Sequence, residues 1–255
     1  MTLLAVERIK LFTTRSPLWC TLAALAVTVG FAALIAGVSD TNEFPTTVAS
    51  SQFGYGFGLV VIMVMAALAV TTEYRFGTIR ATFQAVPNRT AALLAKTSVV
   101  AAFAGVIGLI GAFGSLGMAK LIRSGADLSL NTAFEWRAVA GTGLVFALAA
   151  VIAVSVGSMI RHSAGAISLL LIYSQLIEGL VLLIPKVGDD IHRWMPFNMA
   201  NHFLTGNPDL TGRPADAGPG LSDITISPWW ALAYFAGFAA VLLTGAVIVT
   251  NRRDA

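Results

Sequence analysis

The chain has 255 residues, 56% of them hydrophobic and only 11% charged, with a formal net charge of +3 and a mean hydropathy of +0.79. A soluble domain carries about 25% charged residues, so most water-soluble enzyme classes are excluded and a lipid bilayer is the expected solvent. The single cysteine, Cys20, permits neither a disulfide within this sequence nor a cysteine-based zinc site, and His162, His192 and His202 lack metal-ligand spacing.

The first 17 residues, MTLLAVERIKLFTTRSP, carry Glu7, Lys10 and Arg15 among apolar positions and precede an uncharged run at 18–38. That run is longer than the ~7–15 residues of a secretion signal's apolar core and reads as a retained anchor. Further apolar windows follow at 53–70, 97–117, 138–159, 164–184 and 229–250. Each approaches the ~20 residues that carry a helix across ~30 Å of hydrocarbon. The expected fold is therefore an all-α membrane protein with six transmembrane helices in a single domain over residues 1–255. Helices rather than a barrel are expected because the runs lack alternation and a lipid-exposed backbone must satisfy its own hydrogen bonds.

Six spans place both termini on one side. That side collects ten basic residues: Arg8, Lys10, Arg15, Arg75, Arg80, Arg89, Lys96, Arg161, Arg252 and Arg253. The other side holds Lys120, Arg123 and Arg137, plus Lys186, Arg193 and Arg213 in a long loop. The positive-inside rule makes the first side cytoplasmic. Localisation in the cytoplasmic (plasma) membrane is expected, with N- and C-termini inside. The long segment at 185–228 is expected outside, its piece DDIHRWMPFNMANHFL forming short helices on the membrane surface. Ser227-Pro228-Trp229-Trp230 reads as a helix start with interfacial tryptophans.

Between the second and third spans lies TTEYRFGTIRATFQAVPNR, residues 71–89. As a helix over 72–86 it would place Phe76, Ile79, Phe83 and Val86 on one face, flanked by Arg75 and Arg80. Thr72 would cap it, Glu73 would complement its dipole, and Pro87-Asn88 would stop it. Such a helix would lie parallel to the membrane, either anchoring a loop or docking into a soluble partner.

The residues EYRFGTIRAT, followed by Pro87, Arg89 and Lys96, resemble the signature of type-2 ATP-binding-cassette (ABC) exporter permeases. The stretch VERIKL…RSPLW at the N-terminus is similar to the amphipathic elbow that opens those permeases. The resemblance implies a permease of an ATP-driven exporter that dimerises with a second permease chain, identical or not, and binds two ABC ATPase subunits. Residues 71–89 would form the coupling helix and 1–17 the elbow. Glu73, Arg75, Thr78 and Arg80 would face the ATPase, with Glu7, Lys10 and Arg15 in the elbow nearby. No residue would be catalytic. Each of the four lysines follows a residue other than glycine, so the sequence contains no Walker phosphate loop; ATP and Mg would be bound by the partner.

Within the fifth span Glu178 is an intramembrane acid, which marks a functional position unless it reaches interfacial water. Ser168, Gln175 and Glu178 fall near one face, with Tyr173 and Ser174 close by. The resemblance implies that spans two and five border the route between protomers, so Tyr173, Gln175 and Glu178 are translocation-pathway candidates for a small molecule, drug or lipid. Other classes are an autonomous channel or ion-coupled carrier, and a membrane scaffold or immunity protein; no nucleic-acid partner is expected. The channel reading rests on Gly-Tyr-Gly within SQFGYGFG at 51–58, where packing glycines at a helix start fit better than an ion filter. Gly105, Gly108, Gly111, Gly114 and Gly117 spiral around span three and would let several neighbours approach. Ser155 and Ser158 read as helix-packing hydroxyls.

Overall fold

The computed structural model describes residues 3–39, 46–86, 88–206 and 226–252. Pro87, the acids Asp40, Glu43, Asp209, Asp216 and Asp223, and the basic residues Arg213 and Arg253 lie outside the described residues. The described chain is helical, with no strand. A short α1 (Leu3–Thr13) leads into α2 (Arg15–Val38), the first candidate span. After α3 (Val48–Ser51), α4 (Tyr55–Arg75) is the second, followed by α5 (Thr78–Ala85). The third and fourth are α6 (Arg89–Ile122) and α7 (Ala133–Ile160).

The fifth span is interrupted. It begins as α8 (Ser163–Leu171), widens into a π-helical stretch at Ile172–Ile177, and resumes as α9 (Glu178–Leu180). Two short helices follow, α10 (Gly188–Arg193) and α11 (Pro196–Thr205), before the last span, α12 (Pro228–Arg252). Among the described residues, six helices are thus long and apolar enough to cross a membrane, as composition predicts.

Local chemistry sets several of the helix starts. Thr132 and Glu135 close a reciprocal capping box at α7. Asn88 accepts the Ala91 amide at α6, and Nδ1 of His162 accepts the Gly165 amide at α8. Proline opens both α11 and α12, where its missing N–H removes no helical bond. At the end of α2, Arg123 donates to the Ala36 carbonyl at 2.9 Å and also to Ser39, satisfying acceptors that the helix leaves open.

The core centres on α7, which packs against α4, α6, α8, α11 and α12. Val139, Val145, Phe146, Ile152 and Val154 are fully enclosed there. The glycines of α6 serve two neighbours. A Cβ on Gly108 would meet Phe146 at 2.8 Å, whereas Gly111 and Gly114 face Leu25, Thr28 and Val29 of α2. The spiral expected from sequence is observed, with Gly117 opening on space.

The residues at 51–58 are helical packing, not a filter. A Cβ at Gly54 would lie 2.7 Å from Phe31 Cβ, and one at Gly58 would collide with Thr28 Oγ1. The Gly54 carbonyl accepts the Gly58 amide, so it is occupied within the helix. Ser155 and Ser158 are buried and return their hydroxyls to the Val151 and Ser155 carbonyls of their own helix.

Three expectations are corrected. The segment 72–86 is two helices, because Gly77 adopts left-handed backbone (φ 71°) and ends α4. Thr72 consequently caps nothing: it sits in the last turns of α4 with its hydroxyl on the Leu68 carbonyl. The piece after span five does form helices, but α11 is no surface element. Met199, Ala200, Phe203 and Leu204 bury it against α7 and α12. His202 lies in the same buried face, 2% exposed, with its Nε2 2.8 Å from the Ile226 carbonyl.

Candidate functional site

Two polar constellations stand out in an apolar molecule. The first lies where α1, the end of α4, α5 and the start of α6 converge. Lys96 enters from α6 at a depth where a lone ammonium would be costly. Its Nζ lies 2.5 Å from Glu7 Oε2 and 2.8 Å from Glu73 Oε1. Lys10 completes the square, 2.9 Å from Glu7 Oε1 and 3.3 Å from Glu73 Oε1, and donates to Thr82 Oγ1 at 3.0 Å. Two ammonium and two carboxylate groups neutralise one another, and four helices are tied by them.

Burial pushes the Glu7 carboxyl up, but the Lys96 and Lys10 ammonium groups outweigh it and hold it below its ordinary value of 4.5. The same balance works in reverse on Lys10: burial pushes it down, while Glu7 and Glu73 raise it above 10.5. Both residues are therefore charged at neutral pH. Neighbouring contacts extend the junction. Arg161, at the left-handed turn after α7, lies with its guanidinium 5.0 Å from the Tyr74 ring centroid. Ser163 donates to Thr71 at 2.9 Å, and Arg89 reaches the Thr250 carbonyl of α12 at 3.3 Å.

The residues predicted to face a partner divide into two groups. Glu73, Glu7 and Lys10 turn inward to the ion network. Arg75, Thr78 and Arg80 are exposed, and so is Arg15 at the start of α2. Arg75 packs over Phe76 at 5.6 Å, and Thr78 donates to the Glu73 carbonyl at 3.4 Å. Phe76 is 71% exposed, so it leaves the face expected for it, while Ile79 alone of that stripe is fully buried. Arg75, Phe76, Arg80 and Gln84 together form a basic, aromatic surface.

Lys96 as the hub was missed because the third span was expected to start at 97. The helix begins at Arg89, and an ammonium eight residues into it demands anionic partners. Thr82 gave no comparable indication.

The second constellation surrounds Glu178. Its carboxylate is 5% exposed and accepts the backbone amides of Phe197 at 3.0 Å and Asn198 at 2.8 Å. These are the first free N–H groups of α11, so Glu178 caps that helix across space. A cavity of about 220 Å³ adjoins it, with Tyr55, Ser174, Gln175, His192 and Asn198 among its polar lining. Burial pushes His192 below its ordinary 6.5 against the opposing pull of Asp189, leaving the imidazole neutral at pH 7.

Of the pathway candidates, Gln175 and Glu178 share this cavity. Tyr173 does not line it; its hydroxyl lies 3.8 Å from Met195 Sδ and its ring packs edgewise on Phe197. Ser168 is also apart, because the π-helical stretch shifts the register between it and Glu178. Tyr55 and Asn198 were not foreseen, lying far from Glu178 in sequence.

Comparison with known proteins adds the family. No curated protein matches the chain. The family model described as ABC-2 family transporter protein matches residues 3–176, from α1 through the π-helical stretch. That is more than half of the chain, and it contains the whole ion network. The protein belongs to this family: it is a multi-pass permease component of an ABC transporter, a type of subunit that works with ABC ATPase partners.

Proposed function

We propose that this permease is the membrane subunit of an ATP-driven exporter, pairing with a second permease chain and two ATPase subunits in the plasma membrane. Its termini, α1 and α5 lie in the cytoplasm, where the excess of lysine and arginine belongs. α5 is the coupling helix and α1 the elbow. ATP closes the ATPase pair, α5 moves with it, and the interface between permeases opens or closes. ATP and Mg stay with the partner, and no residue of this chain is catalytic. The pathway runs beside spans two and five, past Gln175, Glu178 and Tyr173, for a small molecule, drug or lipid.

The observation that carries this reading is the division of labour at the junction. An exposed surface (Arg75, Phe76, Thr78, Arg80) sits on a buried ion network that fastens α5 and α1 to spans two and three. A push on α5 is thereby delivered to two spans instead of being absorbed in a loop. Arg75 and Arg80 are exposed, so Arg75→Glu and Arg80→Glu should leave the fold intact. In reconstituted complex the double variant should lose at least about tenfold in ATP-driven export, as removal of charge-assisted contacts to a partner does. Export at the wild-type rate would refute the coupling role.

A further inference from the structure

The cavity beside Glu178 has a chemical bias in its lining. Tyr55 Oη donates to Asn201 Oδ1 at 2.7 Å, Asn198 Nδ2 to the His192 carbonyl at 2.9 Å, and Gln175 Nε2 to Ser174 Oγ at 3.4 Å. The tyrosine hydroxyl donor and one N–H of each amide are thus engaged with protein, and the tyrosine oxygen and the two amide carbonyl oxygens retain acceptor capacity. Each oxygen of Glu178 accepts one backbone amide and keeps a second lone pair. Among the described residues no ion pair reaches Glu178, and His192, the one lining side chain able to become cationic, is held neutral. The aromatic residues Tyr55 and Phe197 also line the cavity.

We propose that this cavity binds the ammonium group of an organic cation, with Glu178 as counter-ion, the Gln175 and Asn198 carbonyls as acceptors, and Phe197 and Tyr55 as cation–π partners. An anion would meet the Glu178 carboxylate with no cationic side chain in the lining to offset it. A divalent metal wants several anionic oxygens, and the site supplies one carboxylate. A space of about 220 Å³ is several times the ~30 Å³ share of one water, too roomy for a bare alkali ion. The ammonium arrives either on a free amine or on a lipid headgroup. This inference deepens the proposed transport reading, since it names the substrate class at the pathway residues.

The test is equilibrium binding of radiolabelled butylammonium to the purified permease in nanodiscs of phosphatidylglycerol, whose headgroup has no ammonium. Wild type should bind saturably. Glu178→Gln should weaken binding about tenfold to a hundredfold. Gln175→Lys, which leaves the α11 cap in place and puts a competing ammonium in the cavity, should do the same. Ser168→Leu, outside the cavity, should bind as wild type. Phosphatidylethanolamine discs that abolish probe binding identify the lipid headgroup as the source; unchanged binding there identifies a free amine. No saturable binding, binding unaffected in both cavity variants, or equal displacement by sodium at the same concentration would overturn the assignment. Because the ATPase is absent, failure here leaves the Arg75 and Arg80 experiment standing, and failure there leaves this one standing.

Discussion

Lys96 shows how a membrane chain accommodates a buried charge. Its ammonium has 7% of its side chain exposed and touches two carboxylates, each held by a second cation, Lys10. Breaking such a pair from one side leaves uncompensated charge and costs ~3–5 kcal/mol, whereas replacing a complete set by apolar groups can be neutral. Lys96→Met leaves Glu7 and Glu73 to share Lys10 alone, with one negative charge in excess, and should lower thermal stability sharply in detergent. Neutralising the complete set, Glu7→Gln, Lys10→Met, Glu73→Gln and Lys96→Met, should recover much of that loss. A single Lys96→Met variant as stable as wild type would show that the network carries no structural load. The lysine was visible beside the third apolar run, but its partners were not: Glu7 stands 89 positions away, and only the packing of α1 on α6 brings them together. Glu178 was legible as an intramembrane acid for the same reason of cost. Its role as a cap for α11 was not, because that needs a helix that returns into the bundle.

At the scale of elements, the segment after span two teaches most. The 3-4-3 spacing of Phe76, Ile79, Phe83 and Val86 suggested one continuous amphipathic helix. The glycine between the first two of them outranks the pattern. Gly77 takes φ 71°, and its amide closes back on the Tyr74 carbonyl at 3.3 Å. The chain turns there, Phe76 swings outward, and α5 sets off in a new direction with Ile79 buried beneath it. Gly77 is thus the hinge between span two and α5. A side chain in left-handed backbone costs ~1–2 kcal/mol, and asparagine tolerates that backbone better than valine. A Cβ there meets nothing within 4 Å, so the effect is conformational, not steric. Gly77→Val should destabilise by about 1–2 kcal/mol and reduce export, with Gly77→Asn close to wild type. Equal behaviour of the two variants, read by thermal unfolding and export, would show that the turn is not what positions α5.

For the whole molecule, composition and span count were enough to predict a helical bundle, because hydrocarbon leaves few ways to satisfy a backbone. What periodicity could not supply was layering. α7 is buried on most sides, while spans one, five and six expose apolar faces, span five through Leu169, Ile172, Leu176 and Leu180. All six runs are similarly apolar, so hydropathy alone does not rank them. Those outward faces suit lipid or a second permease. The surface of α5 is proposed to meet a nucleotide-driven partner. The most direct measurement is site-specific crosslinking in the assembled transporter, with Cys20→Ser as background and a single cysteine introduced at Arg80 or Lys120. Both positions are exposed, at opposite ends of the bundle. A covalent product with the ATPase subunit is expected from Arg80→Cys, changing in yield when ATP is added, and none from Lys120→Cys. A product from Lys120→Cys alone would place the partner on the other side of the membrane and contradict the proposal.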